Sequence, residues 1–206
     1  HWGGYGAAEQ GFDSHSHYGK YADLSGGGLE PHLIPFTGAF EVNVAGVMPT
    51  YSILKGAEHE GQKIEPVGAG FNSYLLQDLL RKRYKFSGVI VSDWLITDDC
   101  DEKCVNGYPD GEPPDPNGIG TPWGVESLSK SERFAKAVNA GIDQFGGVSD
   151  TAPLLSAIQA GKISERRINQ SVARILTQKM VLGLFENPYV DPAIAAKVLP
   201  NASWQA

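Results

Sequence analysis

The sequence predicts an α/β chain with parallel strands, and three observations carry that prediction. Apolar runs alternate with helical periodicities from about residue 45 onward. The run Val89-Ile90-Val91 is continuously apolar and β-branched, as a strand covered on both faces requires. Polar side chains stand where such strands should end: Tyr51, Asp93 with Trp94, Asp143, and His1 if a strand leads into it. Strands alternating with helices call for right-handed crossovers, which suit an open doubly wound sheet or part of a (β/α)8 barrel. A closed barrel needs eight strands and roughly 250 residues. These 206 residues, with three interior strands visible, supply about half of one.

The elements follow in order. Residues 2–28, rich in Gly, His, Tyr and Asp without periodicity, read as a long loop. A helix is expected over residues 31–42, weakened by Pro35 and Gly38. Ala45-Gly46-Val47-Met48 reads as a buried strand leaving through Pro49-Thr50-Tyr51. Asn72 or Ser73 can cap a helix in which Leu75, Leu76, Leu79 and Leu80 recur at helical spacing, ending near Tyr84. The strand at 89–91 terminates at Ser92-Asp93-Trp94. Residues 95–125, acidic and proline-rich, are too long for an ordinary connection and are expected to be a functional or family-specific insertion. Ser129 and Glu132 fit a capping box for a helix stopped by Gly141, and Ile142-Asp143-Gln144-Phe145 is the next strand. Helices are expected over 153–160 and from 164 to about 182, the second presenting Ile168, Val172, Ile175, Leu176 and Met180 as one face.

Composition narrows the function. Hydrophobic residues make up 41% and charged residues 20%, and no apolar run approaches a membrane span, so a folded chain without membrane partner is expected. A net charge of −7 repels phosphate backbones, and the cluster Arg81, Lys82, Arg83 and Lys85 reads as a solvated helix end, so no nucleic-acid partner is expected. The 25 glycines and 13 prolines imply many loops, where sites tend to sit. Cys100 and Cys104 lack the second ligand pair of a zinc site and read as a local disulfide or two free thiols. A disulfide would place the protein in the periplasm or outside the cell. The chain opens at His1 with neither methionine nor an apolar leader, and reads as a piece of something longer.

Asp93 is the strongest candidate for chemistry. A carboxylate directly after Val-Ile-Val must face a solvated pocket or accept hydrogen bonds, so it is either catalytic or a helix cap. Trp94 is a sugar-stacking platform or a core-edge aromatic, the latter favoured by composition. His15 and His17 form an H-x-H pair better read as exposed loop histidines than as metal ligands. His59-Glu60 lacks the second histidine of a zinc protease motif, and no Walker loop, dinucleotide fingerprint or nucleophile elbow is present.

The stretch Gly88-Val89-Ile90-Val91-Ser92-Asp93-Trp94, preceded by Leu79-Leu80-Arg81, closely resembles the nucleophile strand of family 3 glycoside hydrolases of the β-glucosidase type. Three further stretches agree in order and spacing. They are His1-Trp2-Gly3-Gly4-Tyr5-Gly6-Ala7-Ala8-Glu9, Val47-Met48-Pro49-Thr50-Tyr51-Ser52, and Arg174-Ile175-Leu176 with Leu182-Gly183-Leu184-Phe185. The resemblance implies part of a TIM-like (β/α)8 barrel, with residues 1–187 as the C-terminal half of the catalytic domain and 188–206 as linker or tail. It implies a retaining, exo-acting β-glucosidase with Asp93 as catalytic nucleophile, no metal or other cofactor, and β-glucosides or β-glucan oligosaccharides as partners. His1, Tyr51 and Trp94 would bind the sugar, with Glu9 and Asp13 supporting the first loop. The missing barrel half and an α/β sandwich domain of the same protein, the latter carrying the acid/base, would complete the enzyme, and the chain alone is expected to be inactive. A β-xylosidase or β-N-acetylhexosaminidase of the same family, or a non-catalytic fragment, are the alternatives.

Overall fold

The computed structural model describes residues 1–108 and 120–198; residues 109–119 of the expected insertion and 199–206 of the tail lie outside them. Its strands are β1 (Tyr21–Asp23), β2 (Gly46–Val47), β3 (Ile53–Lys55), β4 (Glu58–His59), β5 (Gln62–Lys63), β6 (Val89–Trp94) and β7 (Gln144–Gly146). The central sheet runs β2-β6-β7 and is parallel throughout, β1 and β3 form a second parallel pair, and β4-β5 is an antiparallel hairpin. The architecture is that of an α/β, TIM-like fragment.

Residues 2–28 are more ordered than expected. Trp2 forms a parallel bridge to Pro49, Tyr5–Ala7, Glu9–Gly11 and His17–Gly19 form 3₁₀ turns, and the segment ends in β1. The three-residue strand Tyr-Ala-Asp has no alternating pattern long enough to register in the sequence. The helix expected over 31–42 is broken into Glu30–Leu33, a 3₁₀ turn Ile34–Phe36 and Thr37–Glu41, since Pro35 supplies no amide hydrogen there. Asn72 caps the leucine-rich helix Tyr74–Arg83 by accepting from the Leu75 amide at 3.0 Å. That helix closes with a π-type bond from Tyr84 N to Leu79 O. Its four leucines are buried, each contributing about 2 kcal/mol on removal from water. Helix Lys130–Ala140 carries the expected capping box, and Gly141 at φ 140 stops it.

Two polar features reverse sequence expectations. Asp143 lies just before β7 rather than at its end, and its fully buried carboxylate is a structural hub. Its Oδ2 takes Arg81 Nη2 at 2.6 Å and the Ile90 amide at 3.1 Å. Its Oδ1 takes Ser171 Oγ at 2.7 Å, Arg174 Nη1 at 2.9 Å and Arg167 at 3.2 Å. Arg81 is therefore internal, not part of a solvated helix end, and burial beside Arg174 draws its guanidinium down to about 10. Helix Glu165–Val181 docks through Arg167, Ser171 and Arg174, recurring at helical spacing, and through Ile168, which packs against the cluster of Ala135, Val138, Ala157 and Ile163, while Val172, Leu176 and Met180 remain exposed. Residues 192–198 of the weakly patterned tail form a short helix.

Candidate active site

The site is built where β6 ends. Between Val91 and Trp94 the register with β7 slips, three residues on β6 spanning two on β7, so the strand bends at Ser92 and Asp93. Ser92 holds the bend: its Oγ donates to Asp93 O at 2.7 Å and accepts the Gly146 amide at 3.0 Å. Leu95 follows at φ 58, a left-handed conformation that turns the chain away from the sheet.

Asp93 is 8% exposed. Its Oδ1 accepts the Trp94 amide at 2.8 Å, while the buried Oδ2 makes no hydrogen bond of good geometry and lies 3.2 Å from His1 Nε2. A buried carboxylate oxygen without a bonded donor is costly and calls for an explanation at a reactive site. The parallel ladder Trp2 N to Met48 O and Thr50 N to Trp2 O sets His1 beside Tyr51, ring centroids 6.0 Å apart. Tyr51 donates its hydroxyl to Trp94 O at 2.8 Å, and burial together with the Asp93 carboxylate pushes that hydroxyl well above its ordinary range. It is a neutral donor at any physiological pH.

Trp94 is 59% exposed and so is not the core-edge aromatic that composition favours. One side of its ring rests on Gly146 and Gly147, where a Cβ would come within 2.7 and 2.4 Å of ring atoms. A cavity of about 550 Å³ is lined by His15, Asp93, Trp94 and Leu95.

His15 belongs to this mouth, although an H-x-H reading looked only for metal. Its ring stands edge-on to Tyr51 at 4.5 Å, and Nδ1 meets Asp13 Oδ1 at 2.5 Å, which leaves Nε2 as the ring nitrogen not engaged by Asp13. The D-x-H spacing was the available signal, since Asp13 Oδ1 also accepts the His15 backbone amide at 2.9 Å in a local turn. Burial works to raise the Asp13 carboxyl, but bonds from the His15 amide and ring and from Tyr5 draw it below its ordinary value. Glu9 stands apart from Asp93: it pairs with Lys55 Nζ at 2.7 Å, tying the opening loop to β3, and lines a separate hollow with His17 and Tyr18. Among the described residues no group of three or more His, Cys, Asp or Glu side chains is placed to hold a metal.

The insertion after Trp94 is braced. Cys100 and Cys104 form a disulfide, and Asp101 caps the short helix Glu102–Asn106 through the Cys104 amide at 2.7 Å.

Fold and site together define a TIM-like α/β segment with its candidate reactive groups at the carboxyl edge of the strands. Residues 1–178 match the model of the glycosyl hydrolase family 3 N terminal domain. The chain is 58% identical over 205 residues to a periplasmic beta-glucosidase/beta-xylosidase of Dickeya chrysanthemi, covering 100% of this chain and 31% of that protein. It is 39% identical over 202 residues to beta-glucosidase C of Emericella nidulans, covering 98% of this chain and 30% of that one. Among solved structures, a β-glucosidase involved in saponin metabolism from intestinal bacteria superposes with a TM-score of 0.67 at 28% identity, over 100% of this chain and 23% of its own. The chain belongs to glycosyl hydrolase family 3. It spans about a third of the length of the curated relatives it matches.

Proposed function

We propose that the protein is a retaining, exo-acting β-glucosidase that releases terminal β-D-glucosyl residues from β-glucosides or β-glucans, with Asp93 as nucleophile. The observation that carries this reading is the buried Oδ2 of Asp93, which faces His1 Nε2 at 3.2 Å without a well-aligned donor, at a cavity flanked by an exposed tryptophan. The relatives' names, β-glucosidase and β-glucosidase/β-xylosidase, support the substrate class.

Cleaving an acetal requires protonation of the leaving oxygen and a nucleophile on the opposite face. Asp93 Oδ2 attacks the anomeric carbon as the bond to the leaving oxygen breaks, and that oxygen takes a proton from a partner acid about 5 Å away. Water, giving its proton back to the same partner, then displaces the glycosyl group and frees Asp93. The partner is assigned to the second domain of the complete protein. Tyr51 and the Trp94 amide hold the nucleophile's surroundings rigid, His1 bonds sugar hydroxyls, Trp94 stacks on the sugar, and His15, its Nδ1 paired with Asp13, offers Nε2 as an acceptor to a substrate hydroxyl on the leaving-group side. The exposed apolar face of helix Glu165–Val181 is assigned to contact with the rest of the same protein. The disulfide and the relative named periplasmic support a periplasmic or secreted address, and no helix of the described residues is long and apolar enough to cross a membrane.

The test uses the complete protein. Asp93→Asn should lower kcat by about a thousandfold or more while circular dichroism stays unchanged. A 2-deoxy-2-fluoro-β-glucoside should label Asp93 and nothing else. Near-normal turnover by the variant, or label on another residue, would remove Asp93 from the role. A higher kcat/KM on aryl β-xylosides or N-acetylglucosaminides than on aryl β-glucosides would overturn the choice of sugar.

A further inference from the structure

Arg133, on helix Lys130–Ala140, is 4% exposed and does no work in the mechanism above. Its guanidinium joins the two ends of the segment that follows Trp94. At the near end Nη1 bonds Thr97 O at 3.2 Å and Asp99 Oδ1 at 2.6 Å. At the far end Nε bonds Val125 O at 3.3 Å and Nη2 bonds Glu126 O at 2.9 Å. Burying a guanidinium is tolerated only when its donors are used, and here they are used to close a loop rather than to seal a core. That loop then returns to the strand end: Thr121 N bonds Leu95 O at 3.2 Å, Thr121 Oγ1 bonds Trp94 O at 3.3 Å, and Gly120 N bonds Asp99 O at 3.2 Å. Gly120 makes this return possible, since a Cβ there would come within 2.3 Å of the Asp98 and Asp99 carbonyls. Trp94 O is therefore gripped from two sides, by Tyr51 and by Thr121, and the second grip depends on the loop that Arg133 closes.

We propose that Arg133 is a positioning residue for substrate recognition: by clasping residues 97–99 to 125–126 it fixes Trp94 and Leu95 as the wall of the cavity that receives the leaving-group side of the substrate. This rests on the assignment of Asp93 as nucleophile. The charge on Arg133 never touches the sugar. Its effect is to remove freedom from the wall, so its loss should weaken binding of a bulky leaving group more than it slows attack at the anomeric carbon.

The experiment compares two substrates on the complete enzyme. One is a β-linked glucose disaccharide, whose second sugar must lie against the wall. The other is 2-deoxy-2-fluoro-β-glucosyl fluoride, whose leaving group is a single atom. Arg133→Gln should raise KM for the disaccharide about tenfold, with the rate of inactivation by the fluoride changed less than about twofold, and Arg133→Lys should recover part of the loss. Asp99→Asn takes the negative charge out of the bond to Arg133 at a side chain that is 80% exposed, so folding is not at risk, and should move the disaccharide KM about threefold the same way. If Arg133→Gln does not fold, the Asp99→Asn result decides. Equal losses on both substrates that track a fall in Tm, or no change on either, would overturn the proposal. Failure of the fluoride to label Asp93 in the unaltered enzyme would instead overturn the nucleophile assignment, so the two failures are distinguishable.

Discussion

At the scale of single residues, the contact between Trp94 and the two glycines at the end of β7 sets how the indole is presented. Gly147 has φ 68, and a side chain there would meet both backbone strain and the indole. Gly147→Ala is expected to displace Trp94 and raise KM for aryl β-glucosides several-fold, with Asp93 still labelled by the fluoro-glucoside; intrinsic tryptophan fluorescence should shift in parallel. An unchanged KM with a shifted spectrum would show that the ring does not bind the sugar. The place of Asp93 and Trp94 at the end of a strand was legible in the sequence because a strand covered on both faces announces its own end, whereas the exposure of Trp94 was not, since it depends on glycines that β7 brings beneath the ring. His15 was not, because its pairing depends on a turn at Asp13 and on Tyr51 arriving from another strand. Arg133 was invisible for a different reason: inside a helical run it looks like one more exposed cation, and only the return of the loop buries it.

Among elements, helix Lys130–Ala140 has the most explicit start signal. Ser129 Oγ and Glu132 Oε2 lie 2.7 Å apart, and the Ser129 and Lys162 bonds pull the Glu132 carboxyl down to about 2. Ser129→Ala should cost about 1 kcal/mol, read as a lower urea midpoint at neutral pH. The sign with pH follows from a carboxyl depressed in the folded state: the bonds to ionised Glu132 stabilise above its unfolded value and are lost as pH falls through about 2. The gap between variant and parent should therefore narrow in acid; a constant gap would assign the effect to backbone capping alone. This helix, the leucine-rich one and β6 were readable because each has a cap or a continuous apolar run. Strands β1 and β3 were not, being three residues long and defined by partners distant in sequence, and the β4-β5 hairpin has only two residues in each strand, too few to show an alternation.

For the whole molecule, Asp143 ties helix Tyr74–Arg83, strand β6 and helix Glu165–Val181 to one point. Removing its charge leaves three guanidinium groups around a neutral amide, and breaking a buried pair in this way costs about 3–5 kcal/mol. Asp143→Asn should thus give an insoluble or strongly destabilised protein, measured as a loss of soluble yield and a large fall in Tm. Retention of a normal Tm would mean that the arginines find other partners. The apolar pattern of helix Glu165–Val181 correctly marks a helix and its one face, but the polar hub at Asp143, which holds the opposite side, has no periodicity to announce it in the sequence.

Asp143 is aligned with Ile90, while Asp93 lies three residues further along the same strand, about 10 Å away. On the proposed assignment of Asp93, foldability and reactivity are in this way allotted to different stretches of one strand. Random mutagenesis confined to the cavity wall at Trp94 and Leu95 and to the exposed Asp99, Glu102 and Asn106 should consequently yield libraries rich in soluble members with altered preference, whereas the same mutational load around Ile90 and Asp143 would yield mostly misfolded protein.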